Sequence, residues 1–263
     1  MTFAPVAQLE SIRTICALTV IDDNELNQVD IKSAYLYERM EDNEEVYLTL
    51  PQGLQIVGLE HGQVFKLQAC FAMEQLGFTQ SSYDHAVFYH LLLLEEGNST
   101  AIIFCHIDDM RISAPRDFMA RIIRELGSIF ELQEGGPIHY LLGMHIIWNR
   151  AEQTIQFSQV TYISQILFRY KLDQTRPVSM PLDPHVIFTK EQCAIMEKQK
   201  DEIKDKPYRE ALGALMYAST GTRPDITFAI SLLAKFSQNS GPTHWTAVKH
   251  IFAYLNGMKH YSF

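Results

Sequence analysis

Three acids carry the chemical interest of this sequence. Asp108 and Asp109 stand side by side at the end of the apolar run Ala101 to Ile107, and Asp30 closes a shorter strand-like run, Gln28-Val29-Asp30-Ile31. Chemistry based on two metal ions needs carboxylates fixed at one point on rigid elements, because the ions sit ~3.5–4 Å apart and are clamped together. Asp108 and Asp109 at a tight hairpin tip supply two such ligands, and Asp30 supplies a third if its strand is a neighbour. Oxygen-only ligation of this kind favours Mg2+ or Mn2+ over zinc. Spacing alone favours a plainer reading. An Asp-Asp pair is ordinary turn chemistry, and the second such pair, Asp22-Asp23, reads as a helix end. The flank pulls the other way: so apolar a run stopping at two acids places charge at the edge of a core, where a cation offsets desolvation.

The surrounding elements follow from periodicity and turn residues. A helix over Ser11 to Val20, with Leu9, Ile12, Cys16 and Val20 on one face, ends in Asp22-Asp23-Asn24-Glu25. The strand Val46 to Leu50 is stopped by Pro51-Gln52-Gly53, and Phe71 to Leu76 reads as helix with Gly77 at its exit. Ala86 to Leu94 is a strand, Glu95-Glu96-Gly97-Asn98 turns it back, and Ala101 to Ile107 returns. Met110-Arg111-Ile112-Ser113 resumes after the acids. Pro115 opens a helix whose Met119, Ile122, Ile123 and Leu126 keep one face, and Gly135-Gly136-Pro137 ends that region. A hairpin follows, Tyr140 to Trp148 out and Thr154 to Phe157 back, then a helix over Ile163, Ile166, Leu167 and Tyr170 that Ser158 can cap. Arg176 to Pro184, with three prolines, reads as a linker, and Lys190 to Lys206 as a solvated segment. Three helices close the chain: Tyr208 to Thr220, Pro224 to Ser237 and His244 to Asn256. A strand-rich front of about 160 residues before a helical rear is the α+β class.

Composition excludes several functions. The 263 residues are 47% hydrophobic, which rules out wholesale disorder. The formal charge of −9 argues against a dedicated basic nucleic-acid module, although a local basic strip survives such a balance. No apolar run approaches the ~20 residues that span a bilayer. Met1-Thr2-Phe3-Ala4-Pro5 carries no signal-peptide pattern. Cys16, Cys70, Cys105 and Cys193 form no CxxC pair and read as buried free thiols, so an intracellular, reducing location is expected.

Several blocks in order resemble the reverse transcriptase of copia-type retrotransposons. They are Thr2-Phe3-Ala4-Pro5-Val6, Leu9 to Arg13, Gln28 to Leu36, His106-Ile107-Asp108-Asp109, Tyr140-Leu141-Leu142-Gly143 and Ser158-Gln159 with Tyr162-Ile163. The rear agrees through Pro181-Leu182-Asp183, Gly213 to Tyr217, Thr222 to Ile226 and Tyr254-Leu255-Asn256-Gly257. The resemblance implies a right-hand polymerase palm, an antiparallel sheet with flanking helices, followed by a helical C-terminal region. By role the chain divides into palm with a remnant of fingers (1–175), linker and charged segment (176–206) and thumb- or connection-like helices (207–263). It implies Asp30, Asp108 and Asp109 as catalytic acids holding two Mg2+ (or Mn2+) ions for RNA-directed DNA synthesis. Template-primer and deoxynucleotides would be the partners, with Ile31 and Tyr35 at the nucleotide and His106, Ile107 and Gln159 near the primer. Each has a plainer alternative: Tyr35 a core aromatic, His106 a satisfied strand histidine, Gln159 part of a capped amphipathic helix.

The departures point to impaired synthesis. His106-Ile107 stands where the family usually has Tyr-Val. After Lys66-Leu67 the family continues into a Ser-Leu-Tyr-Gly-Leu-Lys-Gln segment and a tryptophan-bearing helix, whereas here Gln68 to Glu74 runs directly to Gln75-Leu76-Gly77-Phe78. The sequence opens at what would be the end of the fingers and closes ahead of a ribonuclease H domain. The reading is therefore a truncated, internally deleted reverse transcriptase with weak or no activity. The alternative is a non-catalytic remnant acting at most as an interaction module, able to self-associate. A nuclease using the same acids has no His or Lys placed as a base.

Overall fold

The computed structural model describes residues 7–31, 73, 76–94, 97–106, 109–183 and 185–262. The expectations for Tyr35, Ile107, Asp108, Cys70 and the Val46 to Leu50 strand fall outside these residues, as does most of the expected Phe71 to Leu76 helix. The chain folds as two compact units. One takes residues up to 138 together with 149–155, and the other takes 139–148 and 156 onward.

In the first unit, helix α1 (Leu9–Ile21) leads into strand β1 (Glu25–Ile31). Asp23 makes the turn with a left-handed φ of +49°, a conformation Asp tolerates better than most residues. The strand thus starts at Glu25, three residues before the apolar pattern announces it. Next come β2 (Thr79–Gln80), β3 (Val87–Leu94), β4 (Gly97–His106), β5 (Asp109–Ala114), helix α2 (Arg116–Ile129) and β6 (Leu132–Pro137). The six strands form one sheet in the order β2-β3-β4-β5-β1-β6, and each neighbouring pair is antiparallel. Because β4 resumes at Gly97, the β3–β4 connection is shorter than the four-residue turn expected there.

Alternation along the strands decides what each face carries. Val29, Ile31, Met110, Ile112, Ile103 and Cys105 pack with Met119, Ile122 and Leu126 of α2 in one core. On the other face, Thr19 of α1 hydrogen-bonds Ser113 of β5, Oγ1 to Oγ at 2.7 Å, and Leu26, Ile102 and Phe104 are buried there. The sheet is therefore covered by α2 on one side and, over part of its length, by α1 on the other.

Gly135-Gly136-Pro137 lies within β6 instead of ending the region. The two glycines hide the strand from sequence patterning, and both are required locally. Gly136 has φ +68° beside a register shift at Gln28/Val29, and a Cβ on Gly135 would lie 3.2 Å from the Gln28 carbonyl oxygen. Pro137 is tolerated because β6 is an edge strand.

Strands β7 (Tyr140–Leu141), β8 (Met144–Asn149) and β9 (Thr154–Ser158) form a separate three-stranded sheet. The single strand expected from Tyr140 to Trp148 is broken by Leu142 (φ +49°) and Gly143 (φ +73°), two left-handed residues making the tight turn that matches strand twist. The second unit holds β7, β8 up to Trp148 and β9 from Gln156, together with α3 (Val160–Arg169), α4 (Glu197–Lys204), α5 (Tyr208–Gly221), α6 (Thr227–Ala234) and α7 (Pro242–Gly257). Its core joins Ile163, Ile166 and Leu167 of α3 to Leu215, Leu233, Val248 and Phe252. Helix α3 therefore packs with the helices beyond the proline-rich segment. Tyr217 of α5 donates its hydroxyl to the Leu142 carbonyl at 2.6 Å, and a Cβ at Gly143 would meet that hydroxyl at 2.6 Å. Helix α4 buries nothing, in keeping with a solvated segment. The described fold is α+β with a mostly antiparallel sheet and seven α-helices. Among the described residues, no helix is long and apolar enough to cross a membrane.

Candidate active site

Strands β1 and β5 are hydrogen-bonded neighbours, and their register sets Asp30 directly opposite Asp109. Opposed residues on an antiparallel pair have Cβ atoms about 4.5–5.5 Å apart, and like charges there repel. The preceding and following residues, Val29 and Met110, are fully buried under α2, so both carboxylates project from the opposite face. Both are half-buried. The strand on the far side of β5 brings the His106 backbone opposite Asp109, and on the far side of β1 the exposed Gln133 pairs with Asp30. Two of the three expected acids therefore meet from positions 79 residues apart. Asp108 and Ile107, between β4 and β5, lie outside the described residues.

One residue at this site was not anticipated. Arg111, two positions after Asp109 on the same strand face, is 5% exposed, and its Nη2 donates to Asp109 Oδ2 at 3.1 Å. Its Nε and Nη1 are buried with no hydrogen-bond partner among the described residues. The available signal was a single charge inside the otherwise apolar run Met110-Arg111-Ile112.

The other expected site residues are placed as follows. Ile31 is buried among the α2-side core, so its backbone is what it can offer a nucleotide. Gln159 belongs to the second unit, where it is 1% exposed at the start of α3 and accepts a hydrogen bond from Thr222 Oγ1 at 2.9 Å. A Cβ on Gly221 would lie 2.5 Å from the Gln159 side chain, so the pair is closely fitted. Cys16 and Cys105 are buried, as expected, whereas Cys193 is only partly buried, a correction to the expectation for that cysteine. Burial pushes the Cys16 thiol up to about 12, which keeps it protonated and inert as a ligand.

Two facing carboxylates fit a hard divalent cation, because they offer oxygen donors only, on rigid strands and open to solvent on one side. Among the described residues no group of three His, Cys, Asp or Glu side chains gathers to hold a metal.

Comparison with known proteins adds the family. The sequence profile of reverse transcriptase (RNA-dependent DNA polymerase) matches residues 1–184, well over half of the chain. This chain belongs to the reverse transcriptase family. The Retrovirus-related Pol polyprotein from transposon TNT 1-94 of Nicotiana tabacum is 33% identical over 271 aligned positions, covering 97% of this chain and 20% of that protein. Those from transposons RE2 and RE1 of Arabidopsis thaliana are 25% and 27% identical, each over 97% of this chain and 18% of theirs. The chain thus spans about a fifth of the length of these relatives, and the copia-type resemblance read from its blocks is borne out. No solved structure matches it. The alignments run to 271–273 positions, more than the 263 residues present, so each relative carries residues that this chain lacks.

Proposed function

We propose that the first unit is a polymerase palm that keeps its metal-binding acids but supports little or no RNA-directed DNA synthesis. The observation that carries this reading is the register of Asp30 against Asp109 on adjacent strands. Divalent Mg2+ or Mn2+ bound there would activate a primer 3′-hydroxyl and stabilise the triphosphate undergoing in-line transfer. The chain's own part is positional. Strands β1 and β5, anchored through Val29 and Met110, fix two carboxylates on one rigid face, and Asp108 precedes Asp109 in the sequence. Ile31 contributes backbone and Tyr35 a ring at the nucleotide, with His106, Ile107 and Gln159 serving the primer side. By role the chain divides at 175 and 206 into palm, linker and thumb- or connection-like helices. An intracellular location accords with its free thiols.

Impairment follows from what surrounds the acids. The direct passage of Gln68 to Glu74 into Gln75-Leu76-Gly77-Phe78 omits a segment that backs the template base in the family, and the longer alignments agree with residues missing here. A charge of −9 leaves little to grip phosphates, the dominant source of affinity for a duplex. Primer extension on an RNA template with Mg2+ tests the proposal. The expected product is no greater than that of an Asp108→Asn variant, and robust, Asp108-dependent synthesis would overturn the claim of impairment.

A further inference from the structure

We propose that Arg111 is a built-in counter-cation of the acid pair, holding Asp109 through its guanidinium and competing with a divalent metal for that carboxylate. This rests on the reading of Asp30 and Asp109 as metal ligands. The argument starts from charge. Two carboxylates facing each other across neighbouring strands repel, and the sheet fixes them in place. Arg111 lies on the same strand face, one pair along, opposite Gln28 on β1 and Phe104 on β4. Its bond to Asp109 Oδ2 spans 3.1 Å, so one of the two negative charges is already compensated from within the fold.

Burial makes this compensation costly to displace. Only 5% of Arg111 is exposed, and among the described residues Asp109 supplies the hydrogen bond of the buried guanidinium, Nε and Nη1 finding no acceptor there. A metal that takes Asp109 Oδ2 strips Arg111 of that acceptor and leaves a buried cation without its hydrogen bond, and one that takes Oδ1 draws off the charge that compensates Arg111, so either opposes binding. Two cations then face each other within a few ångströms, which opposes it further. Arg111 is thus a positioning residue: it steadies the acids without metal and sets how much metal is needed to occupy them.

Mn2+ titration of the intact chain, Arg111→Met and Arg111→Gln, followed by the electron paramagnetic resonance signal of free Mn2+, reads this directly. Both variants are expected to bind Mn2+ roughly tenfold or more tightly than the unaltered chain. Adding Asp30→Asn to Arg111→Met should remove the gain. Equal affinities in the unaltered chain and the variants would overturn the role of Arg111 while leaving the metal site standing. Absence of Mn2+ binding in all of them would overturn both. If the variants do not fold, the Arg111 Nε–H resonance of the unaltered chain decides the matter. It should shift as Mg2+ is added, and a resonance unmoved by Mg2+ that raises the melting temperature would overturn the proposal.

Discussion

Arg223→Met lowers the unfolding free energy of the helical unit by about 3 kcal/mol, the low end of the range for breaking a buried ion pair. The low end applies because Asp225 is 37% exposed while Arg223 is 2% exposed. Arg223 nonetheless engages all three of its guanidinium nitrogens. Its Nε and Nη2 donate to the two Asp225 oxygens at 3.0 and 2.7 Å, and its Nη1 donates to the Met258 carbonyl at 2.8 Å. The guanidinium lies 5.3 Å from the centre of the Tyr254 ring, whose hydroxyl donates to Asp225 Oδ2 at 2.7 Å. One side chain therefore ties the start of the helix pair to the end of α7. Methionine fills the volume but leaves the Met258 carbonyl without this donor. Urea unfolding followed by the fluorescence of Trp148 and Trp245, both in this unit, measures the loss.

The same cluster has a pH signature. Burial pushes the Asp225 carboxyl up, but hydrogen bonds from Arg223 and Tyr254 and the Arg223 charge outweigh it and hold the group below the usual carboxylate range. A carboxylate with a depressed folded value contributes stability above its unfolded pKa of about 3.9, and that stability is lost as pH falls through the folded value. The difference between the unaltered chain and Arg223→Met should therefore be constant from neutral pH to about pH 5 and shrink below about pH 4.

Divalent metal should stabilise the sheet-bearing unit by about 2.7 kcal/mol at a hundredfold excess over its dissociation constant. That corresponds to a rise in melting temperature of roughly 5–10 °C for a domain of this size. Asp30→Asn should abolish the rise without unfolding the strand, because residue 30 is half-buried and its neighbours Val29 and Ile31 carry the packing. The substitution also removes the like-charge opposition to Asp109, so the metal-free melting temperature should hold or increase. Calorimetry with and without Mn2+ checks both parts, and a rise undiminished in Asp30→Asn would place the metal elsewhere.

Much of this arrangement was legible before any coordinates. The α2 face was visible because Met119, Ile122 and Leu126 repeat at helical spacing, and all three are buried. The rear helices were visible through long apolar periods bounded by Pro and Gly, and Asp109 was correctly placed at the return of a hairpin. Strand β6 was not legible, because Gly135 and Gly136 read as a stop while backbone pairing to β1 carries them as an edge strand. The break at Leu142-Gly143 was missed because an apolar residue at positive φ leaves no compositional mark. Arg111 and Arg223 were passed over for a shared reason. A buried arginine is recognised by the carboxylate it meets, and at both sites that partner sits two residues away, a spacing that reads as solvated surface until strand or turn geometry closes it.

The decisive experiment is paramagnetic broadening by a substoichiometric amount of Mn2+ in backbone-labelled protein. Amide signals of Asp30, Asp109 and His106 should vanish together, while those of β2, at the opposite edge of the sheet, persist. Broadening centred on α4, or on only one of the two opposed aspartates, would contradict a shared cation site on β1 and β5.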